Sequence, residues 1–141
     1  MAFKFTDKSY FAVDASVGGT LVSITAYVTE VSGLPGGKNL VEVTALGDPG
    51  AKFIPGLENV RVSLSGVYDN AATNNPETVF GIARQGTATL SIKYAPEGSG
   101  TGTAYTAEVW VAEYQVLSRV GNAVEWSASL QVDGTVLRGA A

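Results

Sequence analysis

The residues most able to do acid–base or metal chemistry in this 141-residue sequence are its 13 Asp and Glu, because the chain has no His and no Cys. That absence removes Cys/His zinc sites, disulfides, Ser-His-Asp triads and thiol nucleophiles. A carboxylate-only hydrolase survives the count, but it needs two carboxyl groups at a set separation, a distance that sequence does not give, and nothing else favours it. No catalytic residue, metal ligand or cofactor-binding motif is therefore assigned, and a non-enzymatic role without a cofactor is expected. Nine Lys and Arg leave a formal net charge of −4 and a pI near 4.7. A nucleic-acid-binding domain advertises itself by an excess of base, and this chain has the opposite.

The carboxylates are unevenly placed. Residues 97–133 hold Glu97, Glu108, Glu113, Glu125 and Asp133 against Arg119 alone, so the whole acidic excess lies in one C-terminal stretch. The elements that hold these residues read as strands. Val, Thr and Ile make up 35 of the 141 residues, a composition that suits pleated sheets. Leu21 to Ser32 reads as a β segment in which 24–28 can hold a short turn, and Leu40 to Leu46 as a second strand. Asn59 to Asp69 alternates cleanly, with Val60, Val62, Leu64 and Tyr68 on one face and Arg61, Ser63, Ser65 and Asp69 on the other. Thr87 to Ala95 alternates in the same way. One helix is expected over Asn75 to Gln85. Asn75 is its N-cap, Pro76 its first residue, Glu77 complements its dipole, and Val79, Ile82 and Ala83 form its apolar stripe beside Phe80.

The last third reads as a hairpin, Tyr105 to Arg119 against Ala123 to Val132, joined by a two-residue turn at Gly121-Asn122. That turn places Leu117 opposite Trp126 and Val111 opposite Val132. Glu108, Trp110, Tyr114 and Val116 then share the acidic face with Glu125 and Asp133, while Glu113 falls on the apolar side. A lone buried carboxylate is costly. Three alternatives stand: a bulge re-aims Glu113, that end of the strand is wet, or the register differs. The whole is expected to be one domain, an antiparallel β-sandwich with one helix packed against it.

Only 16% of residues are charged, against 45% hydrophobic. Such a surface suits an oligomer better than a small monomer. No apolar run approaches the ~18 residues that cross a bilayer, and the start lacks the apolar core of a secretory signal, so no membrane partner is expected. Between the second and third strands, residues 47–58 are punctuated by Pro49 and Pro55, which excludes a central strand there. Phe53, Ile54 and Leu57 in that loop either fold back as a lid or face another subunit.

The ordered set of segments resembles the major tail tube proteins of long non-contractile-tailed bacteriophages. The segments are Ile24–Ser32, Val43–Asp48, Phe53–Asn59, Val62–Asp69, the single helix, and the closing hairpin from Ser118 to Arg138. Together they span roughly residues 20–140. The resemblance implies a structural virion protein, made in the host cytoplasm, that forms hexameric rings stacked into a tail tube for DNA delivery. Its partners would be further copies of itself, the tape-measure protein and DNA passing through the lumen without specific binding, and the terminator and tip proteins. Contractile-tail and injection-machine tubes and the terminator cap share this fold. The loop would be the subunit interface, with Asp48, Lys52, Phe53, Ile54, Pro55 and Leu57 as candidates. Glu108, Glu125, Asp133, Glu30 and Glu42 are candidates for an acidic lumen lining; the plainer reading of each is a solvated strand face. A different class remains as the alternative, a carbohydrate-binding or adhesin β-sandwich using Trp110 and Tyr114 as an aromatic platform.

Overall fold

The computed structural model describes residues 9–14, 21–68, 76–81, 89–100 and 102–141. Among the described residues nine strands run in order: β1 (Tyr10–Asp14), β2 (Leu21–Ser23), β3 (Val28–Ser32), β4 (Lys38–Glu42), β5 (Phe53–Glu58), β6 (Arg61–Val67), β7 (Leu90–Ala95), β8 (Thr103–Leu117) and β9 (Glu125–Ala140). A 3-10 turn at Thr25–Tyr27 interrupts the Leu21–Ser32 segment where a turn was expected, and a wide helical turn covers Glu77–Gly81. The expected cap Asn75, the stripe residues Ile82 and Ala83, and Asp69 lie outside the described residues.

All pairings are antiparallel. Seven strands form one sheet in the order β2-β1-β7-β8-β9-β6-β3, and β4 and β5 form a separate two-stranded ribbon. This order dictates the shape. β2 and β3 are the opposite edges of the sheet, yet only residues 24–27 join them. Laid flat, seven strands span roughly 29 Å at ~4.8 Å per gap. Five chain steps from Ser23 to Val28 reach at most about 18 Å. The sheet must therefore roll until its edges approach, and the two layers of the expected sandwich are the two halves of one rolled sheet.

The corner is tied to both halves. The backbone N–H of Ile24 donates to the Phe11 carbonyl at 3.1 Å. The Thr25 hydroxyl accepts from the Phe11 N–H at 3.0 Å and donates to the Phe11 carbonyl at 3.2 Å. On the other side, the Trp126 indole N–H donates to the Tyr27 carbonyl at 3.0 Å. Gly66 of β6 makes that possible, because a Cβ there would overlap the Tyr27 carbonyl oxygen.

One core fills the roll. Phe11 and Val13 of β1, Val62 and Leu64 of β6, Leu90 and Ile92 of β7, Val109 of β8 and Trp126 and Leu130 of β9 are all buried in it. Each such side chain contributes roughly 1.5–3 kcal/mol when taken fully from water. Phe80 of the helical turn lies against Trp126, with ring centroids 5.6 Å apart. The alternation expected for 60–68 is observed: Val60, Val62 and Leu64 are buried and Tyr68 is half-buried.

The C-terminal hairpin departs from expectation in register. β8 ends at Leu117 and β9 begins at Glu125, so the connection is seven residues, not two. The Asn122 N–H closes a turn onto the Arg119 carbonyl at 3.1 Å, with Gly121 at φ 86°. Leu117 faces Glu125 and Val116 faces Trp126. Ala112 is an extra residue in β8, since Val111 pairs with Leu130 and Glu113 with Ser129. Beyond such a bulge every side chain changes face. Tyr114 and Val116 therefore join the side of Trp126 and Ala128, whereas Glu113 and Leu117 turn outward.

Candidate functional site

Two surfaces stand out. The first is the β4–β5 ribbon. The strand expected at 40–46 lies at Lys38–Glu42, and the stretch expected as a loop at 47–58 is a turn followed by β5. Pro55 sits within β5, opposite Leu40. It is tolerated because β5 is no central strand and, among the described residues, has β4 as its single partner.

The ribbon tip is organised by one carboxylate. Asp48 accepts the Ala45 N–H at 2.7 Å with one oxygen and pairs with the Lys52 ammonium at 2.9 Å with the other. The Ala45 N–H, and then the Lys52 side chain, hold the Asp48 carboxyl below its ordinary pKa. The Lys52 N–H donates to the Thr44 hydroxyl at 2.9 Å. Asp48 and Lys52 thus clasp the turn that presents the apolar candidates.

Those candidates are open to solvent. Phe53 is 51% exposed, Ile54 50% and Leu57 85%, and Leu40, Val41, Val43 and Leu46 join them. The ribbon strands pack chiefly on each other, so these side chains are not a lid over the core. A two-stranded ribbon alone is marginal in water, and contiguous exposed apolar surface of this kind marks an interaction site.

The second surface is the outward face of the seven-stranded sheet. Pairing registers lay its side chains in rows. One row runs Ser32, Ser63, Ser129, Glu113. The next runs Glu30, Ser65, Ser127, Gln115. Glu125 with Leu117 lies beyond at one end; Arg61, Gln131 and Trp110, then Asp133, Glu108 and Ser91, lie toward the other. Same-face rows are ~7 Å apart along a strand, so Glu125 and Asp133 are separated by roughly 27 Å. Four of the five acidic candidates, Glu30, Glu108, Glu125 and Asp133, share this face, and Glu42 lies apart on the ribbon beside Phe53. The bulge at Ala112 adds Glu113, which sequence patterning placed on the apolar side and which is exposed.

Glu108 and Asp133 stand directly opposite each other. Like charges so placed repel. The Ser91 and Thr89 hydroxyls donate to the two Glu108 oxygens, the latter at 3.0 Å, and so disperse part of that charge.

The same bulge dismantles the aromatic platform of the carbohydrate-binding alternative. Trp110 stays on the polar face, 40% exposed. Tyr114 turns to the core side, its ring centroid 6.4 Å from that of Trp126 and its hydroxyl donating to Glu77 at 2.8 Å. Burial, then the Glu77 carboxylate, raises the Tyr114 pKa well above its ordinary value. Of the three alternatives for Glu113, the bulge is the one that turns it outward; its place at Ala112, which is neither Gly nor Pro, is not marked in the sequence.

No protein-family model matches the sequence, and no curated protein matches it. Solved structures do match in shape. A chain of the phage SPP1 tail tube superposes with a TM-score of 0.74 at 16% identity, covering 99% of this chain and 80% of that one. A chain from the tail of a gene transfer agent particle, refined with C6 symmetry, gives 0.72 at 14% identity, covering 98% and 100%. A chain of the sheath-tube complex of an extracellular contractile injection system gives 0.70 at 12% identity, covering 99% and 93%. A rolled antiparallel sheet with one helical turn against it and a detached ribbon is therefore the tail tube-like fold.

Proposed function

We propose that this chain is a structural virion protein, the repeating subunit of a phage tail tube, built as stacked hexameric rings around a channel for DNA delivery. The observation that carries this reading is the β4–β5 ribbon, an apolar two-stranded arm exposed along its length in a chain with the tail tube-like fold. Such an arm has no use in a monomer and an evident one between copies of the same chain. The six-fold symmetry of the matching gene transfer agent tail supports a hexameric ring here. The acidic sheet face supports a lumen role, because a cationic lining would hold the phosphate backbone and stall it. Tape-measure, terminator and tip proteins would be the partners of the assembled tube.

Negative-stain microscopy of the purified protein tests the proposal, with rings or tubes as the expected result. The double substitution Phe53→Ser and Ile54→Ser should leave the circular dichroism of a folded β protein and abolish those assemblies. Dispersed monomers of the unsubstituted chain at every concentration would overturn the assembly role.

A further inference from the structure

Among the described residues, a sheet that is rolled but not closed keeps two free edges, and the ribbon adds two more. β2 offers an edge of three residues, whereas β3 offers five, Val28–Ser32. β3 contains neither Lys, Pro nor Gly, the residues that usually blunt an edge. It also runs along a cleft of about 360 Å³, walled on the far side by Tyr10, Phe11 and Tyr94. On that far wall the Phe11 N–H and carbonyl are already satisfied by Thr25 and Ile24. Thus β3 is the wall with backbone groups to offer a newcomer.

The ribbon is asymmetric in a complementary way. A proline inside a ladder is tolerated where its missing donor faces away from the partner strand. Pro55, paired with Leu40, therefore blunts the outer edge of β5. β4 has no proline and is exposed at all five positions. Charge points the same way. Neither Glu30 on the cleft nor Lys38 on β4 forms an ion pair among the described residues, and both are exposed.

We infer that β4 of one copy adds to the free edge of β3 of a second copy, so that the ribbon extends the neighbour's sheet by backbone hydrogen bonds and lays its apolar side chains along the cleft. This rests on the assembly role proposed above and specifies which edges meet.

The absence of Cys makes the test direct. A tagged E30C chain is mixed in turn with untagged K38C, L40C and I54C chains, assembled, and oxidised. Facing strands bring Cβ atoms to ~4.5–5.5 Å, near the range a disulfide closes. A shift of the tagged chain to a mixed dimer on a non-reducing gel is expected with K38C or L40C and not with I54C. Tubes that form but give no mixed dimer with either β4 variant, or give one through I54C alone, overturn the edge assignment and leave the assembly role standing. Failure of the unsubstituted chain to form rings or tubes overturns both. As a second measure, Glu30→Lys should lose assembly, and adding Lys38→Glu should restore it.

Discussion

Gly66 bears directly on closure of the roll. It lies in the interior of β6, opposite Val28, where the Tyr27 carbonyl occupies the space of a Cβ. Gly66→Ala must push the corner off β6 and stretch the Trp126–Tyr27 hydrogen bond. A loss of about 3 kcal/mol is expected, at the upper end for overpacking, read as a lower thermal midpoint with altered near-ultraviolet dichroism from Trp126. Tyr114→Phe keeps the ring against Trp126 and removes only the bond to Glu77. A loss of about 1 kcal/mol is expected in denaturant melts. At this scale the sequence was legible where strands are regular: Val60, Val62 and Leu64 point inward as their alternation requires. It was legible only in part near Ala112: Glu113 on the apolar side pointed to a bulge, a wet strand end or another register without choosing among them. One extra residue reverses the facing of Glu113 and Tyr114, and nothing in an Ala marks its place. Gly66 did carry a signal, because glycine inside an alternating strand implies a close approach of other backbone.

Among the elements, the ribbon most needs explanation, because little of the chain's own core supports it. Its tip depends on Asp48, whose pKa is lowered by the Ala45 N–H and by Lys52. A carboxyl lowered on folding contributes order that is present above its ordinary pKa of ~3.9 and lost as pH falls through the lowered folded value. The protection factor of the Ala45 amide, its exchange measured against the intrinsic rate at the same pH, should therefore fall under acid below about pH 4, while amides of β6 and β9 stay protected. Asp48→Asn should produce the same fall at neutral pH, and unchanged exchange in that variant would deny the clasp its role. Pattern reading found the apolar residues of this element and missed its strand, because the two prolines suggested a loop. Proline argues against a central strand, and β5, an edge strand, satisfies that condition while still pairing with β4.

For the whole molecule, the outward sheet face sets the electrostatics of the proposed channel. With Glu30 left to the subunit contact, Glu108, Glu113, Glu125 and Asp133 stand exposed there against Arg61 and Lys93, a balance of −2 per chain. Six copies in one ring would carry about −12, lining a narrow channel whose low-dielectric wall concentrates the field. Charges set one to two rows apart lie ~7–14 Å from each other, comparable to the ~8 Å screening length at physiological salt, so a polyanion meets a nearly continuous repulsion along the strands. Between them lie Ser63, Ser65, Ser127 and Ser129, short neutral side chains that present little to grip. Unsubstituted tubes should thus retain almost no fluorescent single-stranded oligonucleotide after gel filtration. Tubes carrying Glu108→Lys and Asp133→Lys exchange a repelling pair for an attracting one at one level of the channel, without touching the ribbon or the core. They should assemble as before and retain the oligonucleotide at 50 mM salt. Retention should fall steeply by 200 mM, because counterions released from the phosphates carry the binding free energy. Normal assembly with equally low retention in the variant at low salt would deny Glu108 and Asp133 any part in keeping the polyanion off this face.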